Sequence, residues 1–117
     1  MPDRETTIDD LKNVVRRFVT ERNWAGYHDP KNLSMSIAIE AAELMEHFQW
    51  LKNSEIDHEL NDPKSREAIE DELADVLAYV LSFANTLNID LSSALTQKMA
   101  KNEKKYPADT YRGKFRL

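Results

Sequence analysis

The chain has 117 residues, 41% of them hydrophobic and 32% charged, with a net charge of −5, no cysteine, two glycines and four prolines. That length suits one modest core, the missing cysteines exclude a disulfide framework, a thiolate nucleophile and sulfur-ligated zinc, and the scarcity of glycine and proline favours helices over a strand-rich sandwich. The acidic balance argues against a nucleic acid polymer as partner, and no apolar run approaches the roughly 18 residues of a membrane span, so a cytoplasmic protein is expected.

Ile8, Leu11, Val14, Val15, Phe18 and Val19 recur at three- and four-residue steps and predict a first helix over Ile8–Arg22. Thr7 or Thr6 would cap it, Asp9 and Asp10 would face its dipole, and Lys12, Arg16 and Arg17 would be solvated on its opposite face. A connector from Asn23 to Asn32 contains the breakers Gly26 and Pro30 together with Trp24, Tyr27 and His28. Rings in that number suit either the plugged end of a bundle or a binding surface.

A second helix is predicted over Leu33–Lys52. It is apolar around most of its circumference and therefore central. Asn53 to Asp62 reads as a polar break, and Asp62 followed by Pro63 as the cap and first residue of a third helix that runs to about Leu87. Asp90 would cap a fourth helix, Leu91 to about Lys105, with Leu91, Ala94, Leu95 and Met99 as its buried stripe. Pro107 ends it and begins a short basic tail. From Lys98 to Leu117 seven Lys or Arg stand against Glu103 and Asp109, so this end of an otherwise acidic chain would hold a small polyanion. One all-α domain spanning residues 1–117, a four- to five-helix bundle, is expected.

Two acidic pairs interrupt apolar helices. Glu40 and Glu43, three residues apart, share one face of the second helix, and Glu72, Asp75, Tyr79 and Ser82 form a polar stripe along the third. Across an antiparallel helix pair the two sets would oppose each other. Four converging carboxylates repel unless cations neutralise them, and neither apolar segment supplies a lysine or arginine. Oxygen ligands suit magnesium, with manganese as a substitute, and a magnesium site built on carboxylates suits phosphoryl chemistry. The alternative is that these are ordinary solvent-facing charges.

Glu40-Ala-Ala-Glu43 followed by Glu72-Leu-Ala-Asp75 resembles the ExxE…ExxD signature of MazG-like nucleoside triphosphate pyrophosphohydrolases. Phe18-x-x-Glu21-Arg22-x-Trp24, His28-x-Pro30-x-Asn32-Leu33, Phe48-Gln49-Trp50, and Lys98-Met99 with Asn102, Lys105, Tyr106 and Pro107 are similar to the dCTP pyrophosphatase branch. The resemblance implies an all-α fold of the dUTPase-like type and magnesium-dependent hydrolysis of a (deoxy)nucleoside triphosphate, dCTP-like or a modified pyrimidine, to monophosphate and pyrophosphate. It also implies a homodimer or a dimer of dimers.

It further implies that Glu40, Glu43, Glu72 and Asp75 hold metal, with Glu43 or Glu40 as general base. Tyr79 would meet the sugar, Trp24 and Trp50 would sandwich the base, and Lys98, Asn102 and Lys105, on one stripe, would face the phosphates from this chain or a neighbouring subunit. His28 is a weaker candidate for substrate contact. One departure stands out: where dCTP-preferring relatives carry a histidine on the first helix, this chain has Val15. Two other classes compete. A di-iron bundle needs Glu-x-x-His on two helices, and only Glu55-x-x-His58, in the polar break, fits. A non-catalytic helical oligomerisation module would have no use for acids within an apolar segment.

Overall fold

The computed structural model describes residues 1–116; Leu117, the last residue of the expected basic tail, lies outside them. Helix α1 (Ile8–Glu21) starts at Thr7, whose Oγ1 accepts the Asp10 N–H at 3.0 Å while the Asp10 carboxylate accepts the Thr7 N–H at 2.9 Å. This reciprocal pair satisfies donors that a helix start otherwise leaves unpaired. Arg16 and Arg17 are exposed as expected and Lys12 is half-buried, and Lys12 and Arg16 also fasten α1 to residues 85–89. Lys12 Nζ donates to the Ile89 carbonyl at 2.8 Å, Arg16 Nη2 donates to Asn85 Oδ1 at 2.8 Å, and the Asn85 amide donates to the Lys12 carbonyl at 3.0 Å. Their long stems reach over the helix edge to acceptors that periodicity alone cannot reveal.

After a 3-10 turn at Ala25–Tyr27, α2 (Pro30–Glu46) begins three residues earlier than the spacing predicts. Asp29 accepts the Asn32 N–H at 2.8 Å and Pro30 takes the first helical position, the same device that Asp62 and Pro63 use. The helix also ends six residues short of Lys52, so residues 47–50 form a turn and Trp50 stands outside it. The expected polar break is largely ordered: a 3-10 turn at Asn53–Glu55 leads into a short α3 (Ile56–Asn61) that packs against the next helix.

Helix α4 (Pro63–Leu87) is capped by Asp62, which accepts the Ser65 N–H at 3.1 Å, and stops at Asn88, whose backbone is left-handed at φ 54°. Helix α5 (Leu91–Lys105) is capped by Asp90, which accepts the Ser93 N–H at 2.9 Å. Past Pro107 the chain forms a last short helix, α6 (Ala108–Tyr111), with the Tyr111 ring edge-on to Tyr106 at 5.3 Å. Among the described residues there is no strand, and no helix is long and apolar enough to cross a membrane.

Helices α2 and α4 are antiparallel. Thr86, near the end of α4, donates to the carbonyl of His28 just before α2 at 3.2 Å, while Glu40 and Glu72 meet midway along. Helix α1 packs against α4. Around these contacts the apolar side chains that become fully buried are only Leu33, Leu81 and Ala84 among the described residues. Met35, Ile39 and Met45 on α2, and Leu73 and Leu77 on α4, remain exposed. Helix α2 is thus not enclosed by its own chain, and the expected buried stripe of α5 is open as well: Leu95 is 64% exposed and Ala94 and Met99 are exposed beside it. The reason is that α5 projects from the body almost without contact. The radius of gyration of the chain, 17.5 Å, exceeds the about 13 Å of a compact chain of this length.

Candidate active site

Helical phase decides which carboxylates meet. Glu40 and Glu43 lie on the α2 face turned to α4, and Glu72 lies on the α4 face turned back. Ligand oxygens of Glu40, Glu43 and Glu72 all fall within 4.8 Å of one another. Asp75, one turn on from Glu72, stands outside this trio but borders the same cavity as Glu40, so three of the four expected ligands converge and the fourth flanks them.

Their electrostatics are unfavourable as they stand. Glu40 Oε2 and Glu72 Oε2 are both buried and without a hydrogen-bond partner, an arrangement that costs free energy unless something else satisfies the oxygens. Burial, then the touching carboxyls of Glu43 and Glu72, then the charges of Glu43 and Asp75 push the Glu40 carboxyl up to about 7 from its ordinary 4.5. Burial likewise raises Glu72, with the Glu43 carboxyl and the charges of Glu43 and Asp75 adding to it and the contact with Glu40 opposing it. Orphaned, mutually repelling oxygens of this kind fit a hard divalent cation.

Beside the acids opens a cavity of about 510 Å³, of the size that holds a small organic ligand. One wall is Val14, Val15, Phe18 and Val19 of α1, the other is Asp75, Ala78, Tyr79 and Ser82 of α4, and Trp24 and His28 border it from the connector. The stripe of α1 that reads as core therefore lines a cavity, which is why Val14 and Phe18 stay partly exposed. Trp24 sits edge-on to Phe18 with ring centroids 5.8 Å apart, and His28 faces Tyr79 at 6.4 Å. These contacts fix the rings at the cavity instead of at a bundle end.

The remaining expected residues lie elsewhere. Trp50, 86% exposed in the turn after α2, does not border the cavity, and neither do Lys98, Asn102 and Lys105 on α5. The Asn102 amide meets Met99 Sδ at 3.8 Å, and Lys105 Nζ stands over the Tyr106 ring at 5.3 Å. Val14, Val15, Phe18 and Val19 are cavity residues that the periodicity assigned to a core: an apolar stripe looks the same whether it meets side chains or a ligand.

Comparison with known proteins identifies the family and the fold. A family model described as MazG-like matches residues 35–114. The dCTP pyrophosphatase 1 of Rattus norvegicus is 37% identical over 109 residues, which are 93% of this chain and 64% of that protein. That of Homo sapiens is 36% identical over 112 residues, 96% of this chain and 66% of the relative. The chain thus spans slightly less than two-thirds of the length of these curated relatives. The crystal structure of a pyrophosphatase from Archaeoglobus fulgidus superposes with a TM-score of 0.78 at 41% identity, covering 92% of this chain and 98% of that one.

Proposed function

Because the chain belongs to the MazG-like family, we propose that it hydrolyses a (deoxy)nucleoside triphosphate, dCTP-like or a modified pyrimidine, between the α- and β-phosphorus to give monophosphate and pyrophosphate. The observation that carries this reading is the trio of Glu40, Glu43 and Glu72, with orphaned buried oxygens, at the edge of an apolar and aromatic cavity. Relatives named dCTP pyrophosphatase 1 and a pyrophosphatase of similar structure support the same reaction class.

Glu40, Glu43, Glu72 and Asp75 would hold magnesium, or manganese in its place. When bound, the cation supplies charge neutralisation for the phosphates and acidifies the attacking water. Glu43 or Glu40 takes the proton of the attacking water, since a carboxylate beside the cation is already within reach of it. Tyr79, one turn beyond Asp75, faces the sugar. Trp24 offers a ring for the base to stack on, a contact worth roughly 1 to 3 kcal/mol per base, and His28 closes that side of the cavity. The α1 valines and Phe18 exclude water from the base.

Trp50, Lys98, Asn102 and Lys105 act from a second copy of the chain in this reading, Trp50 on the base and the other three on the phosphates. The accessible surface is 9629 Å², against about 6600 Å² for a compact monomer of this mass, and the surplus is apolar enough on α2, α4 and α5 to be covered by a partner. A dimer or a dimer of dimers follows, one domain per chain. The exposed faces alone would also suit a non-catalytic oligomerisation module, but orphaned carboxylates serve no purpose there.

A panel of natural and modified triphosphates with magnesium, with both products identified, tests the reaction. Monophosphate plus pyrophosphate is expected. Diphosphate, or monophosphate plus two orthophosphates, would contradict the cleavage point, and no turnover of any nucleotide would leave the oligomerisation module.

A further inference from the structure

The polar stripe of α4 does not end where the proposed chemistry ends. Glu72, Asp75 and Tyr79 have roles in it, whereas Ser82, the next member, has none. Yet Ser82 is 5% exposed, the one fully buried polar residue among the described residues, and it borders the cavity. Its carbonyl accepts the Thr86 hydroxyl at 3.0 Å, but no side-chain hydrogen bond among the described residues engages its own hydroxyl. With no partner among those residues and the cavity in front of it, that hydroxyl is free to bond a ligand there.

Building on the proposed reaction, we infer that Ser82 is a specificity-determining residue that reads the C4 edge of a pyrimidine base. Seven residues separate Asp75 from Ser82, about 10 Å along the helix axis, with Tyr79 between them. A nucleotide whose phosphates lie at the acids and whose sugar lies at Tyr79 therefore points its base towards Ser82. In a pyrimidine the ring position opposite the glycosidic nitrogen is C4, so the C4 substituent arrives first. The facing wall, Val14, Val15, Phe18 and Val19, offers no side-chain hydrogen bond, so the Ser82 hydroxyl, with His28 bordering the same cavity, is what α4 presents to this edge.

A hydroxyl both donates and accepts. It accepts from the C4 amino group of cytosine and donates to the C4 carbonyl of uracil or thymine by rotating its proton, whereas a fixed donor or acceptor would take only one. The site is thus built to require a polar substituent at C4 and to be indifferent to which one it is. Behind Ser82 a second recess of about 280 Å³, bordered by Arg16, Thr20, Asn85 and Thr86, shares Ser82, Val19 and His28 with the first, so the end of the base pocket has room for the substituent.

The test compares dCTP, dUTP and the 2-pyrimidinone deoxynucleoside triphosphate, which has only hydrogen at C4, as substrates of the native protein and of Ser82→Ala. The native protein is expected to use dCTP and dUTP within about 3-fold of each other and each about 10-fold better than the third, chiefly through KM. Ser82→Ala is expected to erase that gap by losing the advantage of the first two. A parallel loss on all three substrates would mark a merely structural role and overturn the inference. So would a native protein that shows no gap, or one that separates dCTP from dUTP by about 30-fold or more. The same ranking taken as equilibrium binding reads Ser82 even if no pyrophosphate is released, an outcome that counts against the proposed reaction alone.

Discussion

Glu40 is the residue whose environment has the widest consequences. Between its ordinary value of 4.5 and the value of about 7 that it takes in the folded chain, the native protein without metal keeps a proton that the unfolded chain has shed. Raising the pH through this window therefore favours unfolding, and the contribution levels off above it. Thermal denaturation in chelator should show a Tm falling from pH 4.5 to 7, with Glu40→Gln flattening the slope; a Tm rising more steeply in the native protein than in Glu40→Gln would contradict this origin. Replacing Glu72 by Gln should likewise stabilise the metal-free protein, yet weaken magnesium binding by at least the roughly 10- to 100-fold that losing even an outer partner of a metal ligand costs. Calorimetric titration with magnesium reads the difference. The acids were recognisable in the sequence because each interrupts an apolar helix, whereas Trp50 was indistinguishable from Trp24: residue type reveals a ring's chemistry but not the turn that carries it out of the helix.

Among elements, those announced by a capping residue were legible to within a residue or two. Thr7, Asp62 and Asp90 mark the starts of α1, α4 and α5. Asp29 and Pro30 carry the same signal for α2, but it sits inside an aromatic connector whose breakers suggest a loop, and the helix was expected to begin later. Helix α3 escaped because a six-residue helix with only two apolar positions carries no period long enough to read. Thr7→Ala removes one half of the reciprocal cap and should cost about 1 kcal/mol, measured by urea denaturation, with no change in the midpoint contradicting the cap's role. Asn88 is left-handed at the α4–α5 junction, so Asn88→Gly should be neutral or stabilising while Asn88→Val destabilises by about 1 to 2 kcal/mol.

At the scale of the molecule, the chain leaves much of its apolar surface uncovered. Helices α2 and α4 pack together, yet each keeps an apolar face outward, with Leu73 at 58% and Met45 at 69% exposed. Hydrophobic spacing predicted burial that the single chain does not provide, because a periodic pattern marks an apolar face without showing what covers it. Leu73→Lys together with Leu77→Lys should therefore shift the protein from oligomer to monomer in light scattering and lower its turnover by about 10-fold or more, since a buried lysine must be desolvated at an interface. Retention of the oligomer would place the contact elsewhere. Helix α5 leans on little of its own chain, and an isolated helix of 15 residues is marginal in water. If the proposed oligomer covers α5, diluting the protein below the dissociation constant of that oligomer should melt the helix: helical ellipticity and turnover per molecule would decline together, making the chain a gauge of its own abundance.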